Sequence, residues 1–302
     1  MSMNPAAKNR LIGGLCLGGA AAIWGGMYVV SKYVLDYIPP LTLVVLRFAV
    51  AALVLGLVVW VKGGWRVERS DWGALARYAL VGYTISISAQ FIGTKLSSAH
   101  MGAVLTSASP AFIALFAWLL LRERLTLRKL LSLAVATVGV LIVVGTDQGD
   151  PSGGGSVLWG NLALVIAAVT WALYSVLGKS LSDKYPALTV TFWAAVAGAV
   201  FTLPVAGWEM TTEEIIWTAD PLVWGGVLFL GIVSTALAFF LWLKGFELMD
   251  AGTAGLFFFV QPIVGTLLGW LLLGEHLTLA FLLGSALIIG SVAVSMKQAQ
   301  ET

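Results

Sequence analysis

The sequence predicts an all-α integral membrane protein: ten transmembrane helices built as two inverted five-helix repeats. Three observations predict it. The first is solvent. Of 302 residues, 59% are hydrophobic and only 11% charged, against roughly 25% charged in an average soluble domain. Most of such a chain must face lipid. The second is length. Ten apolar segments of about 18–25 residues can be drawn, each able to cross a bilayer as a helix that satisfies its own backbone. The third is repetition. Displaced by 147 positions, Trp24 falls on Trp171, Lys32 on Lys179, Asp36 on Asp183, Pro39 on Pro186 and Thr42 on Thr189. Displaced by 152, Pro110 meets Pro262, Trp118 meets Trp270, and Glu123-Arg124-Leu125-Thr126-Leu127 meets Glu275-His276-Leu277-Thr278-Leu279. A duplicated apolar chain is the sequence form of a transporter made of structural repeats.

The segments follow in order. Span 11–35 comes after Lys8 and Arg10 and has no convincing small-residue cleavage site, so it reads as a span and not as a removed signal peptide. Gly14, Gly18, Ala22 and Gly26 recur on it every four positions, a ridge for close helix approach. Span 40–61 carries Arg47, the one cation well inside an apolar segment. Span 74–94 holds Tyr83, Ser86, Gln90 and Thr94 at spacings of three and four. Span 101–121 places Thr106, Ser107 and Ser109 around Pro110, and span 126–145 ends the first repeat, residues 1–145. Residues 146–156 form a polar, Gly-rich outer linker. The second repeat, 157–302, holds spans 157–178, 187–207, 222–243, 251–273 and 277–296. Gln261 stands beside Pro262 in its fourth.

Charge sets the topology. With the N-terminus cytoplasmic, inner segments carry fourteen Lys and Arg and outer segments two, Lys32 and Lys95. That is the positive-inside pattern. The outer loop 208–221 is acidic, with Glu209, Glu213, Glu214 and Asp220. Five is odd, so the second copy enters the membrane from the opposite side. Such inverted repeats suit alternating access; a duplication kept for packing alone is the competing explanation.

Trp24 lies near mid-span, where interfacial anchoring explains a tryptophan poorly. Trp171, with Tyr174 and Ser175 one turn on, sits in the matching place. These residues line a central cavity or serve helix packing and lipid contact; the sequence leaves both open. Polar groups at the depth of Ser86, Gln90 and Gln261 should face protein or water. Pro110 and Pro262 each remove a helical donor, freeing the carbonyls of Thr106 and Phe258, and are candidate hinges. Arg47 could receive a solute carboxylate. It could equally snorkel outward or pair with Asp36 or a helix carbonyl.

Several classes are excluded. No Asp or Glu sits mid-span, so an obvious proton relay is absent. Cys16 is the only cysteine, which removes internal disulfides and multi-cysteine metal sites. No catalytic cluster, phosphate loop or zinc motif is present, so no enzyme activity, cofactor, metal or nucleic-acid partner is expected. Small-molecule solutes and membrane lipid are the expected partners; monomer and homodimer remain open. A channel and a membrane-embedded enzyme are the alternatives to a transporter.

Trp24-Gly25-Gly26, Lys32, Pro39-Pro40-Leu41-Thr42 and Arg47-Phe48 resemble the opening of the drug/metabolite transporter superfamily, in its ten-helix EamA-type branch. Pro110 with Leu119-Leu120-Leu121-Arg122-Glu123-Arg124-Leu125 resembles that family's fourth-helix ending, with Arg122 in place of its usual Gly. Pro262 and Leu273-Gly274-Glu275-His276-Leu277 resemble the second copy. The resemblance spans nearly the whole chain. It implies secondary transport, often export, of amino acids, metabolites or drugs across a bacterial inner membrane, and is nearest to the aromatic amino acid exporters. The residues point the same way. Trp24, Tyr28, Tyr83, Trp171, Tyr174 and Phe258 offer ring faces, while Ser86, Gln90, Ser175 and Gln261 offer donors and acceptors for an ammonium and a carboxylate.

Overall fold

The computed structural model describes residues 5–96, 102, 105–106, 108–144 and 155–273, with 279, 282–284, 286–287 and 290–291 beyond them. All regular structure among the described residues is helical. Helix α1 is Pro5–Leu35 and α2 is Pro40–Lys62. After a 3₁₀ turn at Arg69–Asp71, α3 runs as Trp72–Ala79, then a π-helical stretch Leu80–Ser86, then Ile87–Leu96. Next come α4 (Ser109–Leu121), α5 (Leu127–Val144), α6 (Gly155–Ser182) and α7 (Ala187–Thr212). Helix α8 repeats the irregularity of α3: Pro221–Leu228, a π-helical Phe229–Leu237, then Ala238–Leu248. Helix α9 comprises Ala251–Leu256, a 3₁₀ turn Phe257–Phe259 and Val260–Leu273. Among the described residues, five helices are each long and apolar enough to cross a membrane: α1, α2, α6, α7 and α8. The linker 146–154 and most of the expected tenth span lie outside the described residues, as do His100, Glu275 and His276.

Packing joins the two halves of the chain. Helix α2 lies along α7, α1 along α8 and α9, and α6 against α3 and α4. Outward faces stay apolar, as lipid requires: Leu53, Leu57, Trp60, Leu203 and Trp208 are exposed. The closest backbone approach on α1 is at Gly25, one position off the expected ridge. A Cβ there would lie 2.6 Å from the Gln261 carbonyl oxygen of α9. Gly82 plays the same part in the π-helical stretch of α3, where a Cβ would strike the Tyr174 ring.

Carboxylates close several helix starts, where the first amides lack intrahelical acceptors. The sequence puts Glu209 in the acidic outer loop 208–221; it instead belongs to α7 and is buried. It accepts the Leu41 and Thr42 amides at 3.0 and 2.8 Å and the Thr42 hydroxyl at 3.0 Å. The reason is Pro39, whose ring cannot act as a side-chain cap for α2. Glu123 likewise accepts the Ala251 and Gly252 amides at the start of α9. At the turns, hydrogen bonds from Tyr185 and Lys184 hold the Asp71 carboxyl below its ordinary range.

Candidate functional site

The two halves of the chain meet at two indoles. Trp24 of α1 and Trp171 of α6 touch edge to face, ring centroids 4.9 Å apart. Phe239 and Trp242 of α8 and Phe258 of α9 complete the cluster around Trp24, at 5.6, 5.3 and 6.1 Å. Such edge and tilted geometries are the favourable ones for aromatic rings. Beside them is a cavity lined by Trp24, Arg47, Ser86, Gln90, Trp171, Phe258 and Gln261. All seven were singled out by sequence. The space is about 20 Å³, room for about one water. The rings fill the site they build.

Arg47 is completely buried, facing inward from α2. It neither snorkels nor pairs with Asp36. Its Nε donates to the Thr235 hydroxyl at 2.8 Å, and its Nη2 reaches the Ser234 hydroxyl and carbonyl at 3.3 and 3.5 Å. Its guanidinium carbon lies 5.1 Å from the Phe91 ring centre, a cation–π contact. No carboxylate pairs with it among the described residues, and no acid lines the cavity. Trp24 donates to the same Ser234 carbonyl at 2.9 Å. The π-helical stretch of α8 therefore supplies polar anchors for both.

Two other lining groups have no such anchor. The Trp171 indole N–H and both polar atoms of the Gln261 amide are buried without a hydrogen-bond partner. Gln261 lies near the Tyr28 hydroxyl, but Gln90 is what bonds it, donating at 2.7 Å. Thr106 lies 2.9 Å from that hydroxyl on the other side.

Four expected lining residues stand behind the cavity wall. Tyr28 orients Gln90. Tyr83 packs on Phe239 and Phe48, at 4.7 and 5.2 Å. Tyr174 stacks on Tyr78 at 4.6 Å. Ser175 accepts the Trp242 indole at 3.0 Å and donates to the Trp171 carbonyl. For Tyr83 the physical reason is the π-helical stretch Leu80–Ser86. Its wider turn breaks the three-and-four spacing, so Tyr83 and Gln90 no longer share a face. Met27, Ile87, Ala167 and Phe239 line the cavity without having been foreseen as a site. A signal for α8 existed: displaced by 149, Gly82 falls on Gly231 and Ser86 on Thr235.

The prolines sit at irregular backbone. Pro110 occupies the first turn of α4, where its missing N–H costs nothing. On either side of it, bonds tighten to three-residue spacing, Ala108 N to Leu105 O and Ala111 N to Ala108 O. Pro262 follows the 3₁₀ turn at Phe257–Phe259, where the Val260 amide turns to the Phe257 carbonyl. Both depart from the mid-helix kink that proline makes in an unbroken helix.

Comparison with known proteins agrees with this architecture. The model of the EamA-like transporter family matches twice, at residues 11–145 and 158–297. The uncharacterized transporter YetK of Bacillus subtilis (strain 168) is 28% identical over 96% of this chain and 88% of its own. An uncharacterized transporter of Archaeoglobus fulgidus is 26% identical over 94% of this chain and 98% of its own. One solved crystal structure, 22% identical and covering 98% of both chains, superposes with a TM-score of 0.80 and shares the fold. The protein is therefore a multi-pass membrane transporter and not an enzyme, and the chain belongs to the EamA-like transporter family.

Proposed function

We propose that this transporter exports small amphiphilic solutes, foremost aromatic and other large neutral amino acids, by alternating access through the aromatic site. One observation carries the reading: ring faces adjoin buried polar atoms that the protein leaves unsatisfied, at Trp171 and Gln261. Buried polar groups without partners are costly, and a bound solute that pairs them removes the cost. The solute carboxylate goes to Arg47, a buried cation with no carboxylate partner among the described residues. The ammonium goes to the Gln261 side-chain amide oxygen, Oε1, and the ring faces. The apolar side chain goes between Trp24, Trp171 and Phe258. Phosphorylated sugars fit poorly, because Arg47 is the one cation on the cavity wall among the described residues.

A space of about 20 Å³ admits no amino acid, so the helices must part. The irregular backbone at Pro110, Pro262 and the two π-helical stretches is where we place that motion. The membrane frame belongs to the same proposal: ten spans, inverted repeats 1–145 and 157–302, the linker 146–156 outside, and both termini cytoplasmic in a bacterial inner membrane. The Lys and Arg asymmetry and the double family match support it. Counterflow into reconstituted vesicles tests the function. Saturable exchange of phenylalanine for internal tyrosine is expected, and fast unsaturable flux would instead indicate a channel.

A further inference from the structure

A second cavity lies apart from the aromatic site. It is a cleft of about 780 Å³ between α2, the α6–α7 turn and α8. One wall is apolar, with Val58, Ile232 and Phe240; Val58 and Ile232 are more than a third exposed. The helix-end wall carries Lys62, Lys184 and Lys244 together with the acids Asp183 and Glu247. Two of these lysines are engaged, Lys244 with Glu247 at 2.5 Å and Lys184 with Asp71 at 3.1 Å. Lys62 has no ion-pair partner among the described residues.

The start of α7 forms part of the same wall, at Pro186, Ala187 and Leu188. Helix α2 starts the same way after Pro39, and there Glu209 takes the Leu41 and Thr42 amides. The matching amides of α7, Leu188 and Thr189, have no acceptor among the described residues. At the 147-residue displacement, the position that matches Glu209 is Lys62. One half thus supplies its own carboxylate to this Pro-x-x-Thr helix start. The other offers open amides, an unpaired lysine and an amphipathic cleft.

We propose that this cleft holds the headgroup of an anionic glycerophospholipid. Phosphate oxygens meet Lys62 and the start of α7, and an acyl chain runs along Val58, Ile232 and Phe240. A lipid is favoured over a free anion because the apolar wall is exposed on membrane-spanning helices, where a soluble phosphate gains nothing. Only the choice of leaflet rests on the topology proposed above.

The test is native mass spectrometry of the purified full-length protein in detergent. It is titrated with phosphatidylglycerol, phosphatidylcholine and glycerol 3-phosphate. Phosphatidylglycerol is expected to bind about 10-fold more tightly than phosphatidylcholine, the worth of one charge-assisted contact, and glycerol 3-phosphate not to bind at the same concentrations. Lys62→Glu gives α7 the carboxylate that α2 already has; it should keep its thermal midpoint and lose the phosphatidylglycerol preference. Lys62→Ala should weaken that preference several-fold, and decides the matter by the same readout should Lys62→Glu fail to fold. An unchanged preference in these variants overturns the proposal, as does equal binding of phosphatidylcholine. Glycerol 3-phosphate binding as tightly as the lipid would make this a soluble-anion site and overturn the lipid assignment. The readout needs no transport, so its failure is distinct from failure of the export reading.

Discussion

Trp24 donates its indole N–H to the Ser234 carbonyl at 2.9 Å, while the indole N–H of its repeat partner Trp171 meets nothing. Two residues at matching positions thus have different duties. Trp24 ties α1 to the π-helical stretch of α8; Trp171 keeps a donor free at the cavity. Trp171→Phe should leave the thermal midpoint in detergent nearly unchanged and weaken solute binding by about 3–10-fold, the worth of one hydrogen bond. Trp24→Phe should chiefly destabilise, by about 1 kcal/mol, because it removes the shorter of the two hydrogen bonds to the buried Ser234 carbonyl and leaves it only Arg47 Nη2 at 3.5 Å. If the two variants behave alike in both assays, the division of roles is wrong.

The Glu209 carboxylate gives a separate expectation, one of stability. It holds two amides and a hydroxyl at the start of α2. Glu209→Ala should cost about 0.5–2 kcal/mol, the range of a lost helix cap, read as a lower thermal midpoint. Affinity at the aromatic site should not follow it. A variant as stable as the parent would remove Glu209 from the capping role.

Energy coupling can be tested without naming the substrate. No carboxylate lines the central cavity among the described residues. Counterflow should therefore persist when the pH gradient across the vesicle is collapsed. Were it to stop, Glu123 would need a second role beyond holding the start of α9.

Topology follows from the Lys and Arg asymmetry. Reporter fusions after residues 150 and 300 should report outside and inside respectively. The same side for both would end the model of two inverted five-helix repeats.

Much of this was legible in the sequence, for identifiable reasons. Helices α1, α2, α6 and α7 follow from apolar length, and Pro39 and Pro186 mark two of their starts. Trp24, Arg47, Gln90, Trp171 and Gln261 stood out because polar or large aromatic groups at mid-span demand partners. The π-helical stretches did not stand out. Leu80–Ser86 has the composition of ordinary helix, and the close approach of Gly82 to the Tyr174 ring in the widened turn is a contact between elements distant in the chain. Tyr83, inside that stretch, packs on Phe48 and Phe239 behind the cavity wall, and Phe239 lines the cavity from α8, just past its own π-helical stretch. Glu209 was misplaced because an acidic residue near a span end looks like loop; only the folded chain reveals the helix start that receives it. The fate of Arg47 was open in sequence because α8, which supplies Ser234 and Thr235, is distant in the chain.

The central claim is that a solute carboxylate meets Arg47 while its apolar group lies between Trp24 and Trp171. The most direct measurement is binding of three molecules that share one ring and differ in charge: phenylalanine, 3-phenylpropanoate and 2-phenylethylamine. Binding to the purified protein is read by calorimetry, with Arg47→Gln beside the parent. The account predicts that the two carboxylates bind the parent, that the amine binds at least about 10-fold more weakly, and that Arg47→Gln loses about that factor for the carboxylates alone. Equal binding of all three to the parent, or carboxylate affinity unchanged in Arg47→Gln, would contradict it.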